Sequence, residues 1–276
     1  SVQTAVRGGV RENLARMERW IDRAAEEDAR VVVFPETMLS GFSRQEIAAL
    51  DNEELDAAMD RLAAIAREKN LYIIYGTATF SGREKPFNSA VVLNPAGEEI
   101  ARYHKSLPER WFERGTHLAL FDIDGIPCTV IVCHDSRFPE LVRIPVLAGA
   151  RICFYLSYEV NSRRSALRKR ENYRAQSIAR AAENGIWYVQ SNGIGPEDAE
   201  KLSLGNSIIA DPGGATVAEA PELEEHLMTA TLIPRHARRR NALESLENRY
   251  LSDWWEEAAH QLEAVARGFS TPDRPK

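Results

Sequence analysis

From Val10 to Ala24 the apolar side chains Val10, Leu14, Met17, Ile21 and Ala24 recur at helical spacing, and the unbroken apolar run Val31-Val32-Val33-Phe34 follows. The first pattern predicts a helix with one buried face, the second a buried strand. The order repeats: Leu55, Met59, Leu62 and Ala66 share one helical face ahead of Leu71-Tyr72-Ile73-Ile74-Tyr75, whose β-branched and aromatic character suits a strand. Ser89 to Leu93 and Glu99 to Tyr103 flank Asn94-Pro95-Ala96-Gly97, a turn signal that predicts a hairpin. Further strands are predicted at Thr129–Val132, Ile152–Leu156, Trp187–Gln190, Ser207–Ala210, Thr216–Ala218 and Leu227–Leu232, with a long helix from about Ser165 to Asn184. Ser1-Val2-Gln3 reads as the end of a strand whose beginning lies upstream of the numbered sequence. Helices and strands in mixed order predict a layered α/β architecture.

The texture changes near the end. Arg235 to Arg240 is basic, and Asp253-Trp254-Trp255 opens a final amphipathic helix, so an arm from about residue 234 to 276 is expected to pack on the domain or on a second subunit. Its tail, Thr271 to Lys276, reads as loose. No repeat or linker divides the chain, and the whole is read as one domain, 1–276.

At 276 residues, 44% of them hydrophobic, the chain can bury a large core. A net charge of −6 with acidic and basic residues interspersed gives no basic face for nucleic acid or anionic lipid, and neither partner is expected. Three cysteines make no disulfide framework, no apolar run reaches membrane-spanning length, and a cytoplasmic setting is expected.

The stretch Thr129-Val130-Ile131-Val132-Cys133-His134-Asp135-Ser136-Arg137-Phe138-Pro139-Glu140 ends a buried strand at a cysteine and starts a helix at Pro139. Backbone N–H groups and the positive end of a helix are expected there, lowering the thiol pKa and holding a developing oxyanion. Cys128 and Cys153 read as ordinary buried cysteines. A thiol hydrolase needs a base and a cation, and two other strand ends offer them. Glu36 is delivered by Val31-Val32-Val33-Phe34-Pro35, and Lys105 ends Ile100-Ala101-Arg102-Tyr103-His104-Lys105. Taken singly, Glu36 also fits a carboxylate at a helix start, and Lys105 a surface lysine.

Together, Phe-Pro-Glu, Tyr-His-Lys and Cys-His-Asp-Ser-Arg-Phe-Pro-Glu stand in the order and approximate spacing of the nitrilase superfamily of carbon–nitrogen hydrolases, which this chain resembles. The resemblance runs on through Gly149-Ala150, Ala179 to Gly185, Ser191-Asn192 and Gly205 to Gly214, covering nearly the whole sequence. It implies a four-layer αββα sandwich of mixed sheets with outer helices and a C-terminal helical arm. It also implies homo-oligomers, usually pairing into an αββα–αββα block, and neither metal nor organic cofactor. The helix near Ser165 to Asn184 and the Trp254-Trp255 arm are the expected subunit contacts.

The implied chemistry makes Cys133 the nucleophile, Glu36 the general base and acid, and Lys105, with a backbone N–H near His134, the oxyanion stabiliser, through a thioester. A second glutamate after the lysine is expected to position substrate or support Lys105. Glu109 is favoured over Glu113, although its spacing is displaced and an ion pair with Arg110 or Arg114 would also explain it. His134 is read as lining the pocket, since adjacent side chains of an extended segment point apart. Asp135 and Arg137 are read as bracing the turn. Tyr158, Glu159 and Asn161 are candidates for the pocket wall, and Arg163-Arg164 for a substrate carboxylate. The substrate is expected to be a small amide or N-carbamoyl compound, with nitrile hydrolysis or acyl transfer from the same thioester as variants. A thiol redox sensor, for which there is no Cys-x-x-Cys, and a non-catalytic scaffold are the readings outside this chemistry.

Overall fold

The structure, a computed structural model, describes residues 1–196 and 200–268, with side chains as far as 261; the tail expected to be loose, Thr271 to Lys276, lies outside them. The chain opens with strand β1 (Val2–Ala5), helix α1 (Val10–Glu26) and strand β2 (Val31–Val33). Next come α2 (Arg44–Ala48), α3 (Asn52–Lys69), β3 (Tyr72–Thr79), β4 (Phe87–Leu93) and β5 (Glu99–His104). The central stretch holds β6 (Phe121–Ile123), β7 (Ile126–Val132), α4 (Glu140–Leu147), β8 (Ile152–Ser157), β9 (Asn161–Ser162), α5 (Arg163–Asn184) and β10 (Trp187–Pro196). Strands β11 (Lys201–Leu204), β12 (Ile208–Ala210), β13 (Thr216–Glu219) and β14 (His226–Leu227) precede α6 (Arg240–Glu247) and α7 (Arg249–Gly268).

Two sheets result. The smaller has the order β2-β3-β4-β5, parallel between β2 and β3 and antiparallel elsewhere. The larger runs β13-β12-β10-β8-β7-β6, with β1 and β11 also on β10; its centre, β7-β8-β10, is parallel, as strands joined through α4 and α5 must be to pair in one sheet.

Side-chain parity stacks these sheets. Tyr72 and Ile74 of β3 face β7 and β8 residues such as Val130, Val132, Phe154 and Leu156, forming the core between the sheets. Ile73 and Tyr75, one residue out of phase, face Met17, Ile21, Leu62 and Ile65 of α1 and α3. On the far side, Cys153, Tyr155 and Tyr188 pack against Val142 and Val146 of α4 and Ala181 of α5. The layers are therefore α, β, β, α, the sandwich that the resemblance implies. Leu62 has no solvent exposure, and truncating such a core side chain to alanine costs about 2–5 kcal/mol.

One expectation needs correction, and two bear on the expected subunit contacts. The apolar run Leu227–Leu232 pairs with β1 at Leu227, Met228 exchanges backbone hydrogen bonds with Ser1, and the rest continues as irregular chain along the rim of a cavity between the sheets. The inner face of α5 is occupied within the chain, burying Ala166, Ser177, Arg180 and Ala181. Trp254 and Trp255 are each 58% exposed, so the arm does not fold them onto the domain. Among the arm's described residues Ala237 is buried in the core between the sheets and Ala242 of α6 against α4 and α5. Among the described residues no helix is long and apolar enough to cross a membrane.

Candidate active site

The site lies at one end of the sandwich, where β2, β5, β7 and β8 run out into loops. Glu36 leaves β2 through Phe34 and Pro35; the Phe34 N–H donates to the Ile74 carbonyl (2.8 Å) and the Gly76 N–H to the Pro35 carbonyl (3.2 Å). This loop lies flat on β3 because residue 76 is glycine. A Cβ there would meet the Thr37 nitrogen, with the Pro35 oxygen at 2.6 Å and the Glu36 carbonyl carbon at 2.7 Å. Lys105 is placed likewise: its N–H donates to the Asn88 carbonyl (2.8 Å), and the Gly115 N–H donates back to the Lys105 carbonyl (2.9 Å). At Gly115 a Cβ would collide with the His104 carbonyl.

These two strand ends bring opposite charges together away from the protein surface. Glu36 and Lys105 are both fully buried, and the Lys105 ammonium donates to Glu36 Oε1 at 2.7 Å. Asn88 Nδ2 donates to the same oxygen at 2.7 Å, and the Tyr158 N–H donates to Oε2 at 2.9 Å. The ammonium also donates to both oxygens of Glu109, at 2.8 and 3.1 Å. One ammonium thus serves two carboxylates. Burial raises the Glu36 carboxyl above the usual range, opposed by Lys105. Burial alone would lower Lys105, but Glu36, Cys133 and Glu109 overcome it and fix the ammonium form.

Cys133 closes the group. It sits where β7 gives way to a short 3-10 turn, Cys133–Arg137, with φ of +44°, a left-handed conformation that costs a residue bearing a Cβ about 1–2 kcal/mol. The expectation of a lowered thiol pKa is not met. Burial pushes the Cys133 thiol well above its ordinary value, Glu36 pushes the same way, and Lys105 opposes them. The helix whose positive end was to assist, α4, starts only at Glu140. With two carboxylates already sharing one ammonium, a third negative charge is unfavourable, and the proton stays on sulfur. Cys128 and Cys153 are buried with their thiols raised by desolvation.

Asp135 joins the cysteine turn to the lysine loop. Fully buried, it accepts from the Tyr103 hydroxyl at 2.7 Å and from the Ser106 and Leu107 N–H groups at 3.2 and 3.0 Å. It braces more than its own turn.

A cavity of about 300 Å³ opens in front of Cys133, its walls including Phe42, Glu109, Trp111, His134, Arg137, Tyr158, Glu159, Asn161 and Lys201. Glu109 therefore touches both Lys105 and the pocket, whereas Glu113 turns away to Arg83 at 3.7 Å. His134 lines the wall, but not because the segment is extended: residues 133–137 form a tight turn. Burial and the nearby Arg137 and Lys105 lower its imidazole pKa. Arg163 and Arg164 stand exposed in the first turn of α5 and line none of this cavity. The basic residues at the pocket are instead Arg137 and Lys201. Asn88, Tyr155, Gln190 and Asn192 also serve the site without announcing it: each is a polar position inside a strand, where neither periodicity nor a turn signal marks it. Among the described residues no group of three or more His, Cys, Asp or Glu side chains is spaced to hold a metal ion.

Comparison with known proteins gives the family and the fold. The model of the carbon-nitrogen hydrolase family matches residues 1–240. A protein named nitrilase from Pyrococcus abyssi is 30% identical over 232 residues, 80% of this chain and 83% of the relative. The 2-oxoglutaramate amidase of Bacillus subtilis is 26% identical over 227 residues, 80% and 84% of the two chains. Among solved structures, an amidase from Nesterenkonia sp. superposes with a TM-score of 0.73 at 26% identity, covering 82% of this chain and 86% of that one. A variant of that amidase is known in complex with butyramide.

Proposed function

The chain belongs to the carbon–nitrogen hydrolase family, and on that premise we propose that it hydrolyses small amides through a thioester on Cys133. The observation that carries this is the fully buried Glu36–Lys105 pair, 2.7 Å apart, held beside a cysteine at a strained strand end. A lysine and a glutamate without solvent exposure add little to stability against apolar residues of the same size, since desolvation offsets their attraction. Their retention is better explained by chemistry.

In the proposed cycle the Cys133 thiol attacks the amide carbon as its proton passes to Glu36, so no free thiolate accumulates beside the carboxylates. The negative charge arises on the carbonyl oxygen, where the Lys105 ammonium and a backbone N–H near His134 receive it. Glu36 then protonates the departing nitrogen and the C–N bond breaks, leaving the acyl group on sulfur. Water enters, Glu36 takes its proton, and collapse of the second tetrahedral intermediate returns that proton to the thiol and releases the acid. Glu109 keeps Lys105 aimed at the oxyanion position and faces the substrate.

The resting thiol supports this order: raised by burial, it needs a base at the moment of attack, and Glu36, itself raised by burial, is matched to take and return a proton. Amides are preferred to nitriles because two of the relatives above are amidases. The test is ammonia release from small amides, N-carbamoyl compounds and nitriles, by the wild type and by Cys133→Ala. Release from amides, abolished in the variant, is expected. Unchanged release by the variant would overturn the assignment.

A further inference from the structure

Glu36 and Glu109 both have their charge paired with Lys105. A second carboxylate lines the cavity beside Glu109. Glu159, in the loop after β8, accepts from the Tyr155 hydroxyl at 2.9 Å and from Gln190 Nε2 at 3.4 Å on Oε1, and from Asn192 Nδ2 at 3.4 Å on Oε2. All three donors are uncharged. Among the described residues no cation lies within ion-pair distance of Glu159, and burial lifts its carboxyl to about 8. A carboxylate has about four lone-pair positions, so one on Oε2 is left for a further donor.

The mirror-image situation holds for Arg137. It is exposed, stands four residues after Cys133 on the same turn, and lines the same cavity. Among the described residues its side chain makes one hydrogen bond, to the Tyr173 hydroxyl at 3.5 Å, and no carboxylate pairs with it. The Arg137 charge reaches Glu159 through space without pairing with it. Lys201 on the rim adds to the positive side.

We propose that this end of the pocket selects amides whose far end carries both an ammonium and a carboxylate, the ammonium seated on Glu159 and the carboxylate on Arg137. The proposal rests on the amide-hydrolase reading and names its substrate class. A neutral acyl group would leave the Arg137 charge without a partner and offer Glu159 nothing to ionise against. A purely acidic one would face Glu159, and a purely basic one Arg137; a free amino-acid end satisfies the two at once. The Tyr155 hydroxyl lies 3.2 Å from the Cys133 carbonyl and 2.9 Å from Glu159, which puts the ammonium seat one hydroxyl away from the nucleophile's main chain. The acyl chain is therefore short, with methylenes against the aromatic wall of Phe42, Trp111 and Tyr158.

The test is calorimetric binding to Cys133→Ala of glutamine in either hand, glutaramate, 4-aminobutyramide and butyramide, with and without Glu159→Gln or Arg137→Gln. One hand of glutamine is expected to bind most tightly. Glu159→Gln is expected to weaken glutamine and 4-aminobutyramide by about ten- to a hundredfold, the usual weight of a hydrogen bond to a charged group, leaving butyramide unchanged. Arg137→Gln is expected to do the same to glutamine and glutaramate. Glutamine no tighter than butyramide, or a Glu159→Gln loss equal across all ligands, as a merely structural role would give, overturns the proposal. Wild-type turnover separates the two readings. Ammonia from butyramide with no gain for glutamine sinks the substrate class alone. Silence towards every amide together with normal selective binding sinks the hydrolase and keeps the binding site.

Discussion

The two sides of the Cys133 pocket hold carboxylates of very different upbringing. On one side Glu36 and Glu109 share the Lys105 ammonium, all fixed by hydrogen bonds at 2.7–3.1 Å. On the other, Glu159 leans on three neutral donors at 2.9–3.4 Å and has no ion-pair partner among the described residues. The first arrangement is complete before substrate arrives, as preorganised electrostatics requires. The second keeps its proton up to about pH 8, and on our proposal gains an ion-pair partner only when an ammonium arrives. If, as proposed, one side reacts and the other chooses, substitutions on each should have different signatures.

The largest effect is expected from Lys105→Ala, which strands two carboxylates at the ammonium's place. Removing one member of a buried ion pair costs about 3–5 kcal/mol of stability. Denaturant unfolding should show that loss, and ammonia release should disappear with it. Glu36→Gln keeps the shape and most hydrogen bonds but removes the base; kcat is expected to fall by about 10²- to 10⁴-fold with the unfolding midpoint little changed. A midpoint drop as large as that of Lys105→Ala would mean that Glu36 is chiefly structural. Gly76→Ala acts at one remove, pushing the Pro35–Thr37 loop off β3. A displacement near 1 Å at the base costs about 10²-fold in rate, and kcat should fall while a crystal structure of the variant shows Glu36 moved.

The smallest effect is expected from Glu159→Gln, and it concerns pH. The folded-state carboxyl, at about 8, stands above its ordinary 4.5, so the folded protein binds the extra proton between those values. The stability this group contributes is complete below the lower value and is lost as pH rises through the upper one. The Gln variant lacks that loss. Its melting temperature relative to wild type should therefore climb between pH 4.5 and pH 8 and level off above, and a flat difference across that window would show that Glu159 does not hold its proton.

How far the sequence reaches follows from the same contrast. Strand ends are legible: Glu36 follows an apolar run broken by Pro35, Lys105 and Cys133 end extended runs, the three motifs together carry the resemblance, and the structure brings the residues together. Polar positions inside strands are not. Asn88 reads as an interruption of β4 and Tyr155 as core, and their roles appear only when β4 lies beside β5 and β8 beside β7. Arg163 misled for a local reason: Ser162 caps α5, which turns the first residues of that helix outward. Arg137 took its place because the left-handed Cys133 redirects the chain into a tight turn, a change of course that spacing does not reveal. The strand expected through Leu232 failed because apolar character predicts burial, and here burial comes at a cavity rim rather than in a ladder.

The central claim is a covalent one, and it is tested most directly by quenching the wild-type protein in acid during turnover of a small amide and mapping the mass added to each cysteine peptide. The account predicts an acyl group in place of the thiol hydrogen on Cys133, with Cys128 and Cys153 unmodified, and its accumulation on addition of substrate. Ammonia released at full rate with Cys133 bare, or an acyl group carried on any other residue, would contradict it.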